Sequence, residues 1–541
     1  MGILDEINKS EELLKKVRND IEEVYYLNDL PWVIGYSGGK DSTCTTQIII
    51  DTLLRMKSEN KELKKHVYVI SSDTLVENPM IVGTIHNTVY SINELAKKYD
   101  LPLSAHIIKP KYNNTFWANL IGRGYPCPNQ TFRWCTDRMK INPANDFITD
   151  IVDKYGEAVM ILGVRDGESN SRDRVLESHT IEGRKLMRHT TMANAYVFAP
   201  IRSFTIDDVW DYLLNNPSPW GQNNKELFDL YTESSEECDL IIDEEGKRKG
   251  TCGNSRFGCW VCTVVSRDKS LTAFIEKGVE WLKPLLEFRN WLYSIRDNES
   301  MRMKRRQDGT IYFSKISTLD DGSLMIPAKG DRPKIIIKNI NYKWIDNQNN
   351  EWTVFENTTS ENDAREYIMK NNVNLSDGSN PRIIVKKING EYGQLGLGSF
   401  TQEAKEEILK RLLELQLLIG DKYKLFFEEE LLEIRKLWFR YGVWNDRVSE
   451  LYYEVFGKEL NLISDDITLF NNKDLGILQD VCNKESMNVN VMQDIFNLEK
   501  KYMGYNNRID VSKGLQKLLS QEYLHLEGQG EKHEDYLFKI K

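Results

Sequence analysis

Residues 31–43 read PWVIGYSGGKDST, and no other stretch of the 541-residue chain limits the fold so tightly. The run Pro31-Trp32-Val33-Ile34 is apolar, aromatic and β-branched, the composition of a buried strand. Two adjacent glycines follow. Cys44, Ile48, Ile49, Leu53 and Leu54 then recur at helical spacing, so the order is strand, tight loop, helix, with the loop at the helix amino end. That junction holds anions: Gly38 and Gly39 let backbone amides approach an oxyanion, and the helix dipole favours negative charge there. Ser37, Ser42 and Thr43 add hydroxyl donors, Lys40 adds a point charge, and Asp41 stands beside it. The spacing departs from the GxxxxGK(S/T) phosphate loop, because two residues separate Gly35 from Gly38 and Asp41 follows Lys40.

Length and charge bound the rest. A chain this long exceeds one compact core and predicts two or three domains. A formal charge of −10 argues against a broadly basic DNA-coating surface, so any nucleic-acid contact comes from local patches. No apolar run approaches the roughly 20 residues that span a bilayer, and the start, MGILDEINKSEELLKK, lacks a signal core; the expected location is the cytoplasm, with no membrane partner.

Six of the eight cysteines fall between 127 and 262, too uneven for a disulfide framework. TCGNSRFGCWVCTVV gives Cys252-x6-Cys259-x2-Cys262, with Cys238 fourteen residues before Cys252 and Cys135 far upstream in RWCT. Thiolates so close, with Phe257 and Trp260 beside them, suit a metal centre, iron–sulfur in preference to zinc, since zinc sites more often show two short CxxC pairs. YPCP, around Cys127, reads either as a sulfur-handling thiol or as a plain turn.

Further motifs follow in order. HVYVI (66–70) reads as a second strand and runs into Ser71-Ser72-Asp73-Thr74; RWCTDRMKINP spans 133–143, ILGVRDGESNSR spans 161–172, and Pro200-Ile201 and Phe204 precede the helical DDVWDYL at 207–213. Together with SGGKDS these resemble the PP-loop ATP pyrophosphatases, in particular their phosphoadenylylsulfate (PAPS) reductase branch. The resemblance implies an α/β fold of the adenine nucleotide alpha hydrolase type, a parallel sheet flanked by helices, followed here by a mixed, helix-rich C-terminal region. It implies ATP cleavage between the α and β phosphates with Mg²⁺, with Lys40, Asp41, Arg165 and Arg172 catalytic, Glu168 orienting an arginine, and Asp73 and Thr74 facing the nucleotide. It also implies a 4Fe-4S cluster on Cys135, Cys259, Cys262 and Cys252, with Cys238 as the alternate fourth ligand.

One departure narrows the activity. Sulfonucleotide reductases attack with a cysteine in a short tail motif, whereas the last cysteine here, Cys482, lies about 60 residues from the end in a helical apolar setting. The motifs over roughly residues 10–310 instead resemble the sulfurtransferases of DNA phosphorothioation. That resemblance implies double-stranded DNA as substrate, a cysteine desulfurase as sulfur donor, and other proteins of the phosphorothioation complex as partners. Thiolation of a tRNA base by the same chemistry, and a nucleotide-sensing scaffold without catalysis, are the alternatives.

The expected organisation is an N-terminal helix (1–30), a PP-loop domain (31–235), a cysteine-rich iron–sulfur segment (236–300) and a substrate- or partner-binding region (301–541). RMKRRQDGT (302–310) places Arg302, Lys304, Arg305 and Arg306 within five positions, either a DNA contact or a solvated linker. Beyond it, KIIIKNI and KWIDNQNNEWTVF read as hairpin strands, and the spacing from 401 onward is helical.

Overall fold

The computed structural model describes residues 3–167, 185–188, 192, 194–233, 258–303, 397–441, 443, 445–460, 472–485 and 509–519, with short pieces between 313 and 395 and between 492 and 499. The chain divides into two compact units. Met1–Lys111, Trp134–Cys262 and Arg267–Leu286 form the first, and Tyr112–Arg133, Thr263–Ser266 and Glu287–Lys541 the second.

The strands and longer helices described in the first unit are α1 (Ile3–Tyr26), β1 (Trp32–Gly35), α2 (Lys40–Ser58), β2 (Val67–Ser72), α3 (Pro79–Lys98), β3 (Leu103–Ile108), α4 (Asn142–Tyr155), β4 (Ala158–Ile161), β5 (Met187–Arg188), β6 (Ala195–Phe198), α5 (Ile206–Asn215), α6 (Asn224–Glu233) and α7 (Lys269–Glu276). The strands form one sheet in the order β3-β2-β1-β4-β6-β5, parallel except where β5 meets β6. This is the α/β sheet expected from the sequence.

The β1 sequence is apolar without alternation because both faces of a parallel sheet are covered. Trp32 and Ile34 enter one core with Ile48, Val69 and Ile161, while Val33 enters the other with Ile70, Ile148 and Met160. Helix starts are set locally. Asn78 caps α3 by accepting the Met80 amide, with Pro79 in the first turn, and Thr205 and Asp208 form a reciprocal capping box on α5.

From β1 the chain crosses to β2 on one side, and β1's other neighbour, β4, comes much later. The crevice at the carboxyl ends of β1 and β4 is therefore the topological switch point, where open α/β sheets bind ligands.

In the second unit, Phe313–Lys315, Tyr342–Ile345, Glu351–Phe355, Arg382–Lys386 and Tyr392–Leu395 form a five-stranded sheet, and Tyr342–Ile345 pairs antiparallel with Glu351–Phe355 as the hairpin pattern predicts. Ile335–Ile337, from KIIIKNI, pairs with Leu324–Ile326 in a separate three-stranded sheet. Helices α8 (Gln402–Ile419), α9 (Glu428–Arg440) and α10 (Arg447–Phe456) follow. The segment Tyr112–Arg133 packs within this unit: the Trp117 indole donates to the Leu425 carbonyl (2.7 Å), and the Trp438 indole donates to the Ile121 carbonyl (2.9 Å).

Candidate active site

The loop between β1 and α2 is shaped by its own side chains. Gly38 sits at φ +73°, in the left-handed region that favours glycine, with a would-be Cβ 3.3 Å from Ile85. The Ser42 hydroxyl accepts the Ser37 amide (3.1 Å) and donates to the Gly39 carbonyl (3.0 Å), and the Ser37 and Ser42 hydroxyls lie 3.0 Å apart. Thr43 is wholly buried in α2. The hydroxyls of Ser37 and Ser42 thus stiffen the loop, and Gly39 stands at the N-cap of α2 with extended backbone.

Asp41 clamps two cations. Arg165 Nε donates to Asp41 Oδ1 at 2.6 Å, and Lys40 Nζ lies 3.1 Å from Asp41 Oδ2. Arg165, from the loop after β4, is only 6% exposed, so this pair is shielded from solvent screening. Two positive charges against one negative leave a net cation at the amino end of α2, which the helix dipole reinforces. The clamp sits at the switch point because β1 and β4 are neighbours. Gly163 permits that approach: a Cβ there would stand 2.7 Å from the Asp41 carbonyl oxygen and 2.9 Å from Thr45 Oγ1.

The loop after β2 forms the adjoining wall. Asp73 is buried; its Oδ1 accepts the Leu75 amide (2.9 Å), and its Oδ2 faces His86 Nε2 (3.2 Å) and Lys109 Nζ (3.6 Å). Leu75 has φ +65°, a conformation that costs a non-glycine residue about 1 kcal/mol or more and that clusters at functional sites. Thr74 donates to Glu77 Oε1 (3.0 Å), Lys140 Nζ lies 3.2 Å from the same oxygen, and Cys259 Sγ is 3.4 Å from Thr74 Oγ1. An isolated bridge joins Glu77 to Cys259, and the Trp260 amide donates to the Val76 carbonyl, which pins the cysteine segment to this loop.

Burial pushes the Cys135 thiol up, with the neighbouring Cys262 adding to it. Burial likewise raises Cys259, with Glu77 adding and Lys140 opposing. Cys135, Cys259 and Cys262 therefore share one electrostatic neighbourhood. Among the described residues, however, no group of three or more His, Cys, Asp or Glu side chains is arranged to hold a metal ion. The fourth-ligand candidates Cys252 and Cys238 lie outside the described residues, as do Arg172 and Glu168.

Two expectations meet a different environment. Arg302 is buried rather than displayed to DNA: its Nε donates to the Gly398 carbonyl (2.8 Å) and its Nη1 to the Arg296 carbonyl (2.6 Å). A guanidinium spent on backbone carbonyls offers nothing to a phosphate. Lys304, Arg305 and Arg306 lie outside the described residues. Cys127 is fully buried in the second unit, its thiol pushed up to about 12 by burial, an environment that suits the plain-turn reading of YPCP. Cys482 is buried, as a core thiol should be.

Sequence reasoning did not single out Gly163, Tyr231, His86 or Lys109. Gly163 had a usable signal, a glycine directly after a strand at the sheet's carboxyl edge. The others reach the site only through the tertiary fold.

The chain shares 25% identity over 229 residues with an uncharacterized protein of Methanocaldococcus jannaschii, a match spanning 42% of this chain and 39% of that protein. It resembles the crystal structure of a PAPS reductase from Candida auris in a phosphate complex at 16% identity, over 41% of this chain and 90% of that one, with a TM-score of 0.26. It also resembles an FMN adenylyltransferase from Candida glabrata in complex with FAD and inorganic pyrophosphate, at 13% identity over 39% and 58% of the two chains, with a TM-score of 0.24. The fold is a mostly parallel sheet flanked by helices, of the PAPS reductase and adenine nucleotide alpha hydrolase type, with a helix-rich remainder. Residues 31–265, less than half of the chain, match the phosphoadenosine phosphosulfate reductase domain.

Proposed function

We propose that the chain is an ATP-dependent sulfurtransferase that adenylates a DNA backbone phosphate and replaces a non-bridging oxygen with sulfur, the chemistry of the DNA phosphorothioation protein DndC. The observation that carries the proposal is the Lys40–Asp41–Arg165 clamp at the switch point, with the Cys259 segment bridged to the next loop. The match to a phosphoadenosine phosphosulfate reductase domain supports adenylyl chemistry, and Cys482 is buried rather than displayed as an attacking thiol.

Lys40 and Arg165 neutralise the phosphates of ATP, which brings Mg²⁺ as its counter-ion, and Asp41 holds both cations in place. A non-bridging oxygen of the DNA phosphodiester attacks the α phosphorus, the α–β bridge breaks, and pyrophosphate leaves. The persulfide of a cysteine desulfurase then attacks the activated phosphorus and expels AMP. The resulting P–S–S linkage is opened by a thiolate through disulfide exchange, which leaves the phosphorothioate. A 4Fe-4S cluster on Cys135, Cys259, Cys262 and Cys252, or Cys238 in place of the last, belongs to this proposal and would supply a binding site for sulfur or a source of electrons. Lys304, Arg305 and Arg306 remain the proposed DNA contacts.

The test is pyrophosphate and AMP release from ATP with the purified chain, its desulfurase, and either duplex DNA or tRNA. DNA-stimulated release that is lost in Lys40→Ala supports the proposal. Stimulation by tRNA alone transfers the chemistry to base thiolation, and no release with either acceptor leaves a nucleotide-binding scaffold.

A further inference from the structure

Helix α6 lays Tyr231 on the phosphate loop. Its hydroxyl accepts the Lys40 amide at 3.4 Å, and its ring centroid lies 5.2 Å from Lys40 Nζ. The same hydroxyl stands 3.1 Å from the position a Cβ on Gly39 would take, so the phenol lies against the bare Cα. Trp210 of α5 holds the ring at 5.3 Å edge-on, and Trp210 also packs edge-on with Phe228 at 5.1 Å.

We infer that Tyr231 is a ligand-displaced gate on this loop, occupying the seat of a phosphate oxygen until a diphosphate group expels it. The inference rests on the reading of the loop as a phosphate site. An oxygen bound by the Lys40 amide would sit about 2.7–2.9 Å from the nitrogen along the direction the phenol oxygen now fills, and two oxygens cannot share it. The phenol also covers the ammonium that a phosphate would pair with. A contact of 3.4 Å is at the weak end for a hydrogen bond, whereas a charge-assisted bond to phosphate is roughly twice as strong as a neutral one, so the exchange favours the ligand. The cost of expelling Tyr231 lowers the affinity of the loop for any anion too small to engage both the amide and Lys40 Nζ. Departure of the phenol also frees the end of α6 from the loop.

The experiment is calorimetric titration of the full chain with inorganic pyrophosphate, comparing wild type, Tyr231→Phe and Tyr231→Ala, together with hydrogen exchange across Asn224–Glu233. Tyr231→Phe removes the oxygen that competes for the amide while keeping the ring on Trp210, so pyrophosphate should bind about three- to tenfold more tightly. Tyr231→Ala should tighten binding at least as much, and exchange in α6 of the wild type should rise when pyrophosphate is added. Equal or weaker binding by Tyr231→Phe overturns the gate, whatever the folding of Tyr231→Ala. A wild-type chain that binds no pyrophosphate overturns the phosphate-site reading itself and the gate with it.

Discussion

Arg165 of the first unit and Arg302 of the second are buried in opposite ways. In the first, Arg165 is nearly inaccessible and its partner is a loop carboxylate, Asp41, which also holds Lys40. In the second, Arg289 and Arg302 are buried with guanidinium nitrogens on the carbonyls of Ser266 and Gly398, while Arg296 is shared between the Thr263 carbonyl and the Asp297 carboxylate, and Lys405 lies over the Trp438 ring at 5.6 Å. A carbonyl-locked guanidinium cannot change partner without unpicking the backbone it holds. A carboxylate-held one, at the rim of a sheet, can share its charge with an arriving phosphate at no cost to the fold. Under the proposed function, the contrast separates the phosphate-facing cation Arg165 from the structural Arg302, which burial alone does not.

Breaking the contrast gives the largest expected effect first. Arg165→Ala should lower kcat/KM for ATP-dependent pyrophosphate release by about 100- to 1,000-fold, the scale of losing one preorganised charge, when assayed below the variant's own thermal midpoint, which the broken buried pair also lowers. Gly163→Ala should cost about 100-fold in the same assay, because its Cβ pushes the Asp41 backbone away and a displacement near 1 Å is worth that much. Arg302→Ala should do the reverse, keeping the KM for ATP while destabilising the second unit by about 2–3 kcal/mol in denaturant titration, as charged hydrogen bonds are left unmade. If Arg302→Ala instead weakened DNA binding with stability intact, its assignment as a structural cation would be wrong.

The smallest effect sharpens the comparison from the anionic side. Glu430 of α9 is 1% exposed, and its Oε2 accepts the Phe427 amide at 2.9 Å. Burial raises its carboxyl from 4.5 to about 7, an effect only partly offset by that amide. The folded state therefore holds this proton more tightly than the unfolded state. Its stabilising contribution is complete below about pH 4.5 and is lost as pH rises through about 7. Glu430→Gln should be more stable than wild type at pH 8 by about 1–3 kcal/mol and should lose that advantage at pH 5, as read by urea midpoints at the two pH values.

What was legible in the sequence was local. Adjacent glycines after an apolar run and the helical spacing from Cys44 onward fixed β1, the loop and α2, and the two sides of a short polar turn predicted the hairpin of Tyr342–Ile345 and Glu351–Phe355. The clamp was legible only as a list of parts. Asp41 and Arg165 lie 124 positions apart and meet because β1 and β4 are neighbours. Tyr231 lies 191 positions from Lys40, and nothing in its surroundings marks it as a loop contact. Arg302 misled because a run of cations looks solvated, whereas its isolated bridge to Phe400 draws it inside. The left-handed Leu75 breaks a local rule at the rim of the site, where such strain tends to collect.

The central claim is tested most directly by mass spectrometry of nuclease-digested DNA from cells carrying this gene with its genomic neighbours, beside the same cells with Lys40→Ala or Cys262→Ser. The account predicts phosphorothioate-linked dinucleotides with the native chain and none with either variant. Native-chain DNA free of phosphorothioate, with the protein expressed and folded, would contradict it.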